Sequence, residues 1–431
     1  MFRDGITVFP DNLALGATGK IAYARQQGEI EAKELRRLGL DVNLAPVLDV
    51  LTDAYSPNIG IRSYGQDWRL VAEMGAARIT AMQQHGLSAC AKHFPGKGHA
   101  PVDAHLGLPV INSTWKEMEA VHLKPFVAAI DAGVDLVMSS HPYYPNLDPG
   151  PQKIATFSRR IIYDYLRTKL KFEGVIASDD LEMGAIKACC PISEAGVLAT
   201  EAGHDLLLVC HDLRAQKEVY DHLLRAYETG QLPKTELEDS VERIRKLKFK
   251  REQRFAEGQT SAEPAGSPLT ADICRESVQI IQDEKKLLPL ASGPQNIAVI
   301  FPQFSRLDAK IMIEQEVLDE KEFLKNEFQK FGLTPAVQIV GIEPSDEEIQ
   351  QAMDLAASSY LTIFFCYDAR LYPSNQKLLE SLQAAAPKLV VSLLRDPYDA
   401  AFLKPGVACL TDFGWRACQI KAAIAKMCLS S

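Results

Sequence analysis

No stretch of this 431-residue chain approaches the roughly 20 consecutive apolar residues that a membrane-spanning helix requires. No long basic run is present either. The formal net charge is −9, which disfavours a polyanionic partner such as nucleic acid, and the one basic cluster, KLKFKR at 246–251, reads as the solvated end of a helix. CxxC pairs are absent. The nine cysteines are odd in number and scattered, several of them inside apolar runs (Cys90, Cys210, Cys366). That excludes a secreted disulfide framework and suggests small core residues in a reducing compartment, so a cytoplasmic location is expected. Adjacent Cys189 and Cys190 are not expected to bridge each other. There is no internal repeat, no visible secretory leader and no glycine phosphate loop; GATGK at 16–20 is too short and wrongly spaced. What remains is the composition of an ordinary globular protein, 47% hydrophobic, with length for two domains.

Apolar runs alternate with helical patterns. Strands are expected near 42–50, 87–92, 133–139, 174–178 and 204–210, separated by helices such as ARQQGEIEAKELRRLG and WKEMEAVHLKPFVAAIDAG. Alternation of this kind predicts a parallel sheet, and chemistry-bearing residues at successive strand ends favour a (β/α) barrel over an open sheet. The helix ELEDSVERIRKLKFKR closes this half. Residues 251–269, rich in Gly, Ser, Ala and Pro, read as a linker between a first domain at 1–250 and a second at 270–431. In the second, NIAVIF, LTIFFCY and KLVVSLL alternate with helices, which predicts a smaller three-layer α/β domain.

Two segments carry chemistry. KHFPGKGHAPVDAHLGLP (92–109) packs three histidines and an aspartate into a Gly/Pro-rich loop directly after the apolar run GLSACA. Within it, Asp103 and His105 flank one small residue. That spacing lets a carboxylate fix an imidazole tautomer so that the other nitrogen handles a proton. FEGVIASDDLEMGAI reads as a buried strand ending in Asp179 and Asp180, followed by a helix start. A carboxylate there suits a nucleophile toward an electrophilic carbon, although an aspartate at a strand-to-helix junction also serves as a helix cap. One nucleophile and one His–Asp pair together suit a retaining glycosidase.

These segments resemble the bacterial beta-N-acetylhexosaminidases of glycoside hydrolase family 3. Those enzymes carry Lys-His-Phe-Pro-Gly, then Asp-x-His, then Gly-Leu-Pro, and a strand ending in Ser/Thr-Asp before Leu-x-Met. NLAPVLDV (43–50) is similar to the family's Asn-x-x-Pro-Val-x-Asp strand, IGIRSYGQD (59–67) to its Arg-Ser-Phe/Tyr-Gly loop, and AGVDLVMSSH (132–141) to a further barrel strand. The likeness covers most of residues 8–250 and continues more weakly beyond. It implies a (β/α)8-type TIM barrel followed by the family's α/β second domain. It implies Asp179 as nucleophile, with Asp180 its rival, and His105 oriented by Asp103 as acid/base. It implies sugar-hydroxyl contacts from Arg62, Lys92 and His93, and a pocket lined by His141 and Met183. The implied substrate is a terminal beta-linked N-acetylglucosamine of cell-wall muropeptides, a small-molecule carbohydrate. No metal, organic cofactor, nucleic-acid partner or membrane is implied, and the oligomeric state stays open.

There are departures. The family's opening strand, with Asp-Gln-Glu-Gly-Gly, should precede Met1, and five barrel strands are legible rather than eight. Either the opening strands lie outside this sequence or the chain is a degraded relative. The family's Gly-His-Gly-Asp is Gly96-Lys97-Gly98-His99 here, and its Ser is Ala104. A lysine at 97 would lower the pKa of a neighbouring histidine. Two other classes compete. One is a non-catalytic sugar-binding relative. The other is a metal-dependent hydrolase using His93, His99, Asp103 and His105, which no H-x-H or HExxH spacing supports.

Overall fold

The computed structural model describes residues 5–53, 55–100, 108–150, 153–257, 266–290, 296–307 and 314–429. The chain divides into two compact units: Gly19–Ala265, and Gly266–Ser431 together with Met1–Thr18.

Among the described residues the first unit has five parallel strands: β1 (Val42–Asn43), β2 (Ser88–Phe94), β3 (Leu136–Ser139), β4 (Val175–Asp180) and β5 (Leu206–Leu208), hydrogen-bonded in that order. They fall within or against the apolar runs from which strands were expected. The central ones are buried on both faces, as in Ala89–Ala91, Leu136–Ser139 and Val175–Ser178. That is why they read as continuous apolar runs rather than alternating ones. Register places Cys90 beside Leu136 and Met138 beside Ala177. Because the strands are parallel, their carboxyl ends, at Lys92–Phe94, Ser139 and Asp179–Asp180, gather on one rim.

The helices Ile21–Arg37 and Trp68–Gln84 pack closely against each other because Gly28 has no side chain: a Cβ there would lie 2.6 Å from the carbonyl oxygen of Arg78. The Arg78 guanidinium is buried and held by Glu31 (3.0 and 2.6 Å) and the Tyr64 hydroxyl (3.1 Å). Just before β5, the buried carboxylate of Asp205 accepts from Arg167 (2.7 Å), Arg243 (2.9 Å), Ser240 (2.7 Å) and the Ile176 N–H (2.8 Å). Such a cluster tolerates no partial removal, since deleting one partner of a buried pair costs about 3–5 kcal/mol.

The second unit is a six-stranded sheet ordered β6-β11-β10-β9-β7-β8: β6 (Gln279–Gln282), β7 (Ile297–Pro302), β8 (Ala336–Val340), β9 (Leu361–Cys366), β10 (Leu389–Leu393) and β11 (Ala408–Thr411). Only β6 is antiparallel. Period-two alternation splits its core. Val299, Phe301, Ile363 and Phe365 meet Phe323, Leu324 and Phe328 of the helix Glu320–Gln329 and Ile420, Ile424 and Met427 of the helix Ala417–Cys428. Ile300, Phe364, Cys366, Val391 and Leu393 meet Ile349 and Ala352 of the helix Asp346–Ala357 and Leu378, Leu379 and Leu382 of the helix Pro373–Ala385. The result is the expected three-layer arrangement, with β8 and β9 on opposite sides of β7, as in doubly wound sheets.

The stretch read as a linker is helical at both ends. Lys234–Glu257 runs into it and Gly266–Ser277 starts within it. No helix among the described residues is long and apolar enough to cross a membrane.

Candidate active site

Asp49 anchors the rim. It follows Leu48, whose N–H donates to the Lys92 carbonyl at 2.6 Å, and it is 0% exposed. Its carboxylate accepts three bonds from the end of β2 and the turn that follows it: His93 N–H (3.2 Å), His93 Nδ1 (2.7 Å) and Lys97 N–H (2.7 Å). A carboxylate of this kind only accepts, so Nδ1 of His93 carries the proton and Nε2 is left as an acceptor for the Arg62 guanidinium, 3.3 Å away. Burial pushes the His93 pKa far down, assisted by the charges of Lys97, Arg62 and Lys92, so the ring is neutral. Burial also lifts the Asp49 carboxyl above its ordinary value, with Lys97 and the donated N–H groups pulling in the other direction.

Asp179 faces this array from the end of β4. Its side chain is 18% exposed, with Oδ2 3.8 Å from Lys97 Nζ and 3.9 Å from His93 Nε2, and Oδ1 accepting the Asp180 N–H at 2.9 Å. Burial by itself would raise its pKa. The positive charge of Lys97, then His141, the Asp180 N–H and Lys92 outweigh it and hold the carboxyl below its ordinary value. Lys92 is half-buried and its ammonium makes no hydrogen bond or ion pair among the described residues, so it is available to a ligand. Arg62 Nη1 is tied to the Asn58 carbonyl (3.0 Å).

Asp180 is committed elsewhere. Oδ1 accepts from the N–H groups of Glu182 (3.1 Å) and Cys210 (3.3 Å), and Oδ2 pairs with His211 Nε2 at 3.0 Å. Its carbonyl accepts from His141 Nε2 at 3.0 Å, while His141 Nδ1 meets the Thr156 hydroxyl at 2.8 Å. His141 is therefore fully buried with both ring nitrogens engaged. Burial lowers its pKa although Asp179 pulls the other way. Met183 is 7% exposed and lines, with Asp179, a cavity of about 440 Å³.

The structure thus gathers Arg62, Lys92, His93, His141 and Asp179 around one rim, with Met183 in the adjoining cavity. Asp103 and His105 lie outside the described residues. His99 points elsewhere: its Nε2 bonds Ser113 (2.9 Å) and its ring stacks on His122 at 4.0 Å. Among the described residues no three potential metal ligands come together. Sequence reasoning passed over Asp49 as a site residue and singled out Lys97 only for its effect on a neighbouring histidine; its charge does lower the pKa of His93. The signal at Asp49 was a charge interrupting an apolar run, Val47-Leu48-Asp49-Val50-Leu51, but its partners stand 44 and 48 positions away.

Residues 1–247 match the glycosyl hydrolase family 3 N terminal domain. The chain is 31% identical over 324 residues to Beta-hexosaminidase A of Pseudoalteromonas piscicida, covering 70% of this chain and 54% of that protein, so it spans about half the length of that relative. It is 33% identical over 253 residues to a Beta-hexosaminidase of Idiomarina loihiensis, covering 57% of this chain and 71% of that one. Among solved structures, a glycoside hydrolase family 3 beta-N-acetylglucosaminidase from Paenibacillus sp. str. FPU-7 superposes with a TM-score of 0.89 at 31% identity, covering 99% of this chain and 81% of that one. A beta-glucoside phosphorylase, BglX, superposes with a TM-score of 0.80 at 20% identity over 99% of this chain and 79% of its own, a likeness of fold alone.

Proposed function

Because this chain belongs to glycosyl hydrolase family 3, we propose that it is a retaining glycosidase that removes terminal beta-linked N-acetylglucosamine, with cell-wall muropeptides as its substrates. The observation that carries this reading is Asp179: a carboxylate at a strand end, beside a cavity, kept ionised by Lys97 and still partly exposed. An ionised, partly exposed carboxylate among cations fits a nucleophile awaiting an electrophilic carbon. Arg62 and Lys92 are the donors for sugar hydroxyls, and the unprotonated Nε2 of His93 is an acceptor for one. The hexosaminidase relatives and the Paenibacillus enzyme support the N-acetylated sugar.

In the first step His105, oriented by Asp103, protonates the leaving oxygen while Asp179 attacks the anomeric carbon, forming a glycosyl–aspartate bond as the glycosidic bond breaks. In the second, His105 takes a proton from water, whose oxygen displaces Asp179 and releases the sugar with retained configuration. Asp180, its carboxylate already occupied, holds Asp179 in place through its N–H and is not the nucleophile. The second unit is the family's C-terminal-type α/β domain. Nine free cysteines fit a reducing, cytoplasmic setting.

The test is hydrolysis of a chromogenic beta-N-acetylglucosaminide by the purified chain in EDTA, with Asp179→Ala alongside. Turnover by the wild type that falls to background in the variant supports the reading. Turnover that survives in the variant, or that EDTA abolishes, refutes it. No turnover by a folded wild type favours the non-catalytic sugar-binding alternative.

A further inference from the structure

The cavity next to Asp179 contains a histidine that the proposed reaction does not use. It is lined by Asp179, Asp180, Glu182, Met183, Lys187 and His211, with Gly184 in its wall. The two carboxylates behind it are already occupied. Asp180 takes the N–H groups of Glu182 and Cys210, and Glu182 takes those of His211 (2.5 Å) and Asp212 (3.0 Å). These bonds fasten the turn after β5 to the end of β4 and set the direction of the His211 ring. Its Nε2 lies 3.0 Å from Asp180 Oδ2, yet the side chain is 76% exposed. A carboxylate only accepts, so Nε2 carries a proton and Nδ1, in the neutral ring, is an acceptor turned away from Asp180.

The cavity therefore offers an incoming group three things. His211 Nδ1 is an acceptor. Lys187 is exposed, with no hydrogen bond or ion pair among the described residues, and its ammonium is a donor. Met183 provides an apolar wall. An anionic group would be repelled by the three carboxylates, and a cationic one would find two of them already hydrogen-bonded. A secondary amide with a short alkyl end answers all three features: its N–H donates to His211, its carbonyl accepts from Lys187, and its methyl packs on Met183. A hydroxyl answers only one. Since the cavity borders the nucleophile, the substituent nearest it is the one on the carbon adjoining the anomeric centre.

Resting on the glycosidase reading above, we propose that His211 is a specificity-determining residue, and that the cavity it shares with Lys187 and Met183 receives the acylamino group of the sugar. The experiment compares kcat/KM for two aryl glycosides with the same leaving group, the beta-N-acetylglucosaminide and the beta-glucoside, in wild type, His211→Ala and His211→Gln. The ratio of the two should fall about tenfold in the alanine variant, a difference of about 1.4 kcal/mol, and recover in part with glutamine, whose amide oxygen restores an acceptor. An unchanged ratio overturns the proposal. So does an equal fall on both substrates, which is what a merely structural role would give. If the wild type turns over neither substrate, the glycosidase reading is what fails. His211 is then tested by NMR on Asp179→Asn: its imidazole Hε1 resonance should move on adding N-acetylglucosamine and not on adding glucose, and a stationary signal refutes the assignment.

Discussion

Replacing Asp49 with asparagine keeps the shape of the side chain and removes one charge and one acceptor. In the wild type two oxygens receive three N–H groups, from His93 N, His93 Nδ1 and Lys97 N, at 3.2, 2.7 and 2.7 Å. Asparagine has a single oxygen. If that oxygen keeps the Lys97 N–H, the amide NH2 confronts both donors of His93. Moving the ring proton to Nε2 relieves one of these clashes, but it turns Nε2–H toward the Arg62 guanidinium 3.3 Å away, donor against donor. If the amide turns over instead, the Lys97 N–H loses its acceptor. Every arrangement leaves at least one buried donor unpaired, at about 1–3 kcal/mol, and weakens bonds that the charge had strengthened. A total of about 2–4 kcal/mol follows, to be divided between stability and the geometry of the rim. If all of it falls on the rim, kcat/KM drops about 30- to 700-fold at 1.4 kcal/mol per decade. The assay is steady-state hydrolysis together with urea unfolding of the same preparations. A variant within threefold of wild type in kcat/KM and unmoved in unfolding free energy would refute the claim that Asp49 organises this rim.

Lys97→Met removes the charge that does most to offset burial at Asp179. The pKa of Asp179, the proposed nucleophile, should rise, and because a nucleophilic carboxylate must be ionised to react, the acid limb of the pH–kcat/KM profile should move to higher pH; an unmoved limb counts against the assignment. Gly98→Ala places a Cβ 1.9 Å from the carbonyl oxygen of Val50, so the chain there must shift. Activity should fall at least about tenfold and stability by about 1–3 kcal/mol, read by kinetics and thermal unfolding. In the second unit, burial lifts the Asp11 carboxyl from 3.8 to about 6. The folded state then favours the protonated form, so this group's contribution is full below about pH 4 and is lost as pH rises through about 6. Asp11→Asn should therefore shrink the drop in unfolding midpoint between pH 4 and pH 8, and an undiminished drop would exclude Asp11 as its source.

Much of the architecture could be read locally. Strands buried on both faces, such as Cys90–Ala91, Leu136–Ser139 and Ile363–Cys366, leave uninterrupted apolar runs. The strands not anticipated are the edge strands β6 and β8, where QIIQ and AVQIV mix polar and partly exposed residues, and the four-residue β11. An edge strand lacks a second neighbour and needs no continuous apolar run, so its pattern is weak. Among site residues, Asp179 stood out because a charge at the end of a buried strand is conspicuous. Asp49 is a charge inside an apolar run with no chemical neighbour in sequence, and its role became visible only with the bonds to His93 and Lys97.

The central strands of both sheets, the alternation of strands with helices and the residues proposed for glycosidase chemistry were legible in local pattern: which side chains must leave water, and which polar groups stand near the ends of those runs. Which of two adjacent aspartates stays available was not. Asp179 and Asp180 are chemically identical and differ by one position on a strand whose side chains alternate in direction. Folding brings Lys97 and His93 to the first, and the backbone N–H of Cys210 and the ring of His211 to the second. Those contacts span 30 to about 90 residues of chain, and only the packing of parallel strands onto a common rim makes them.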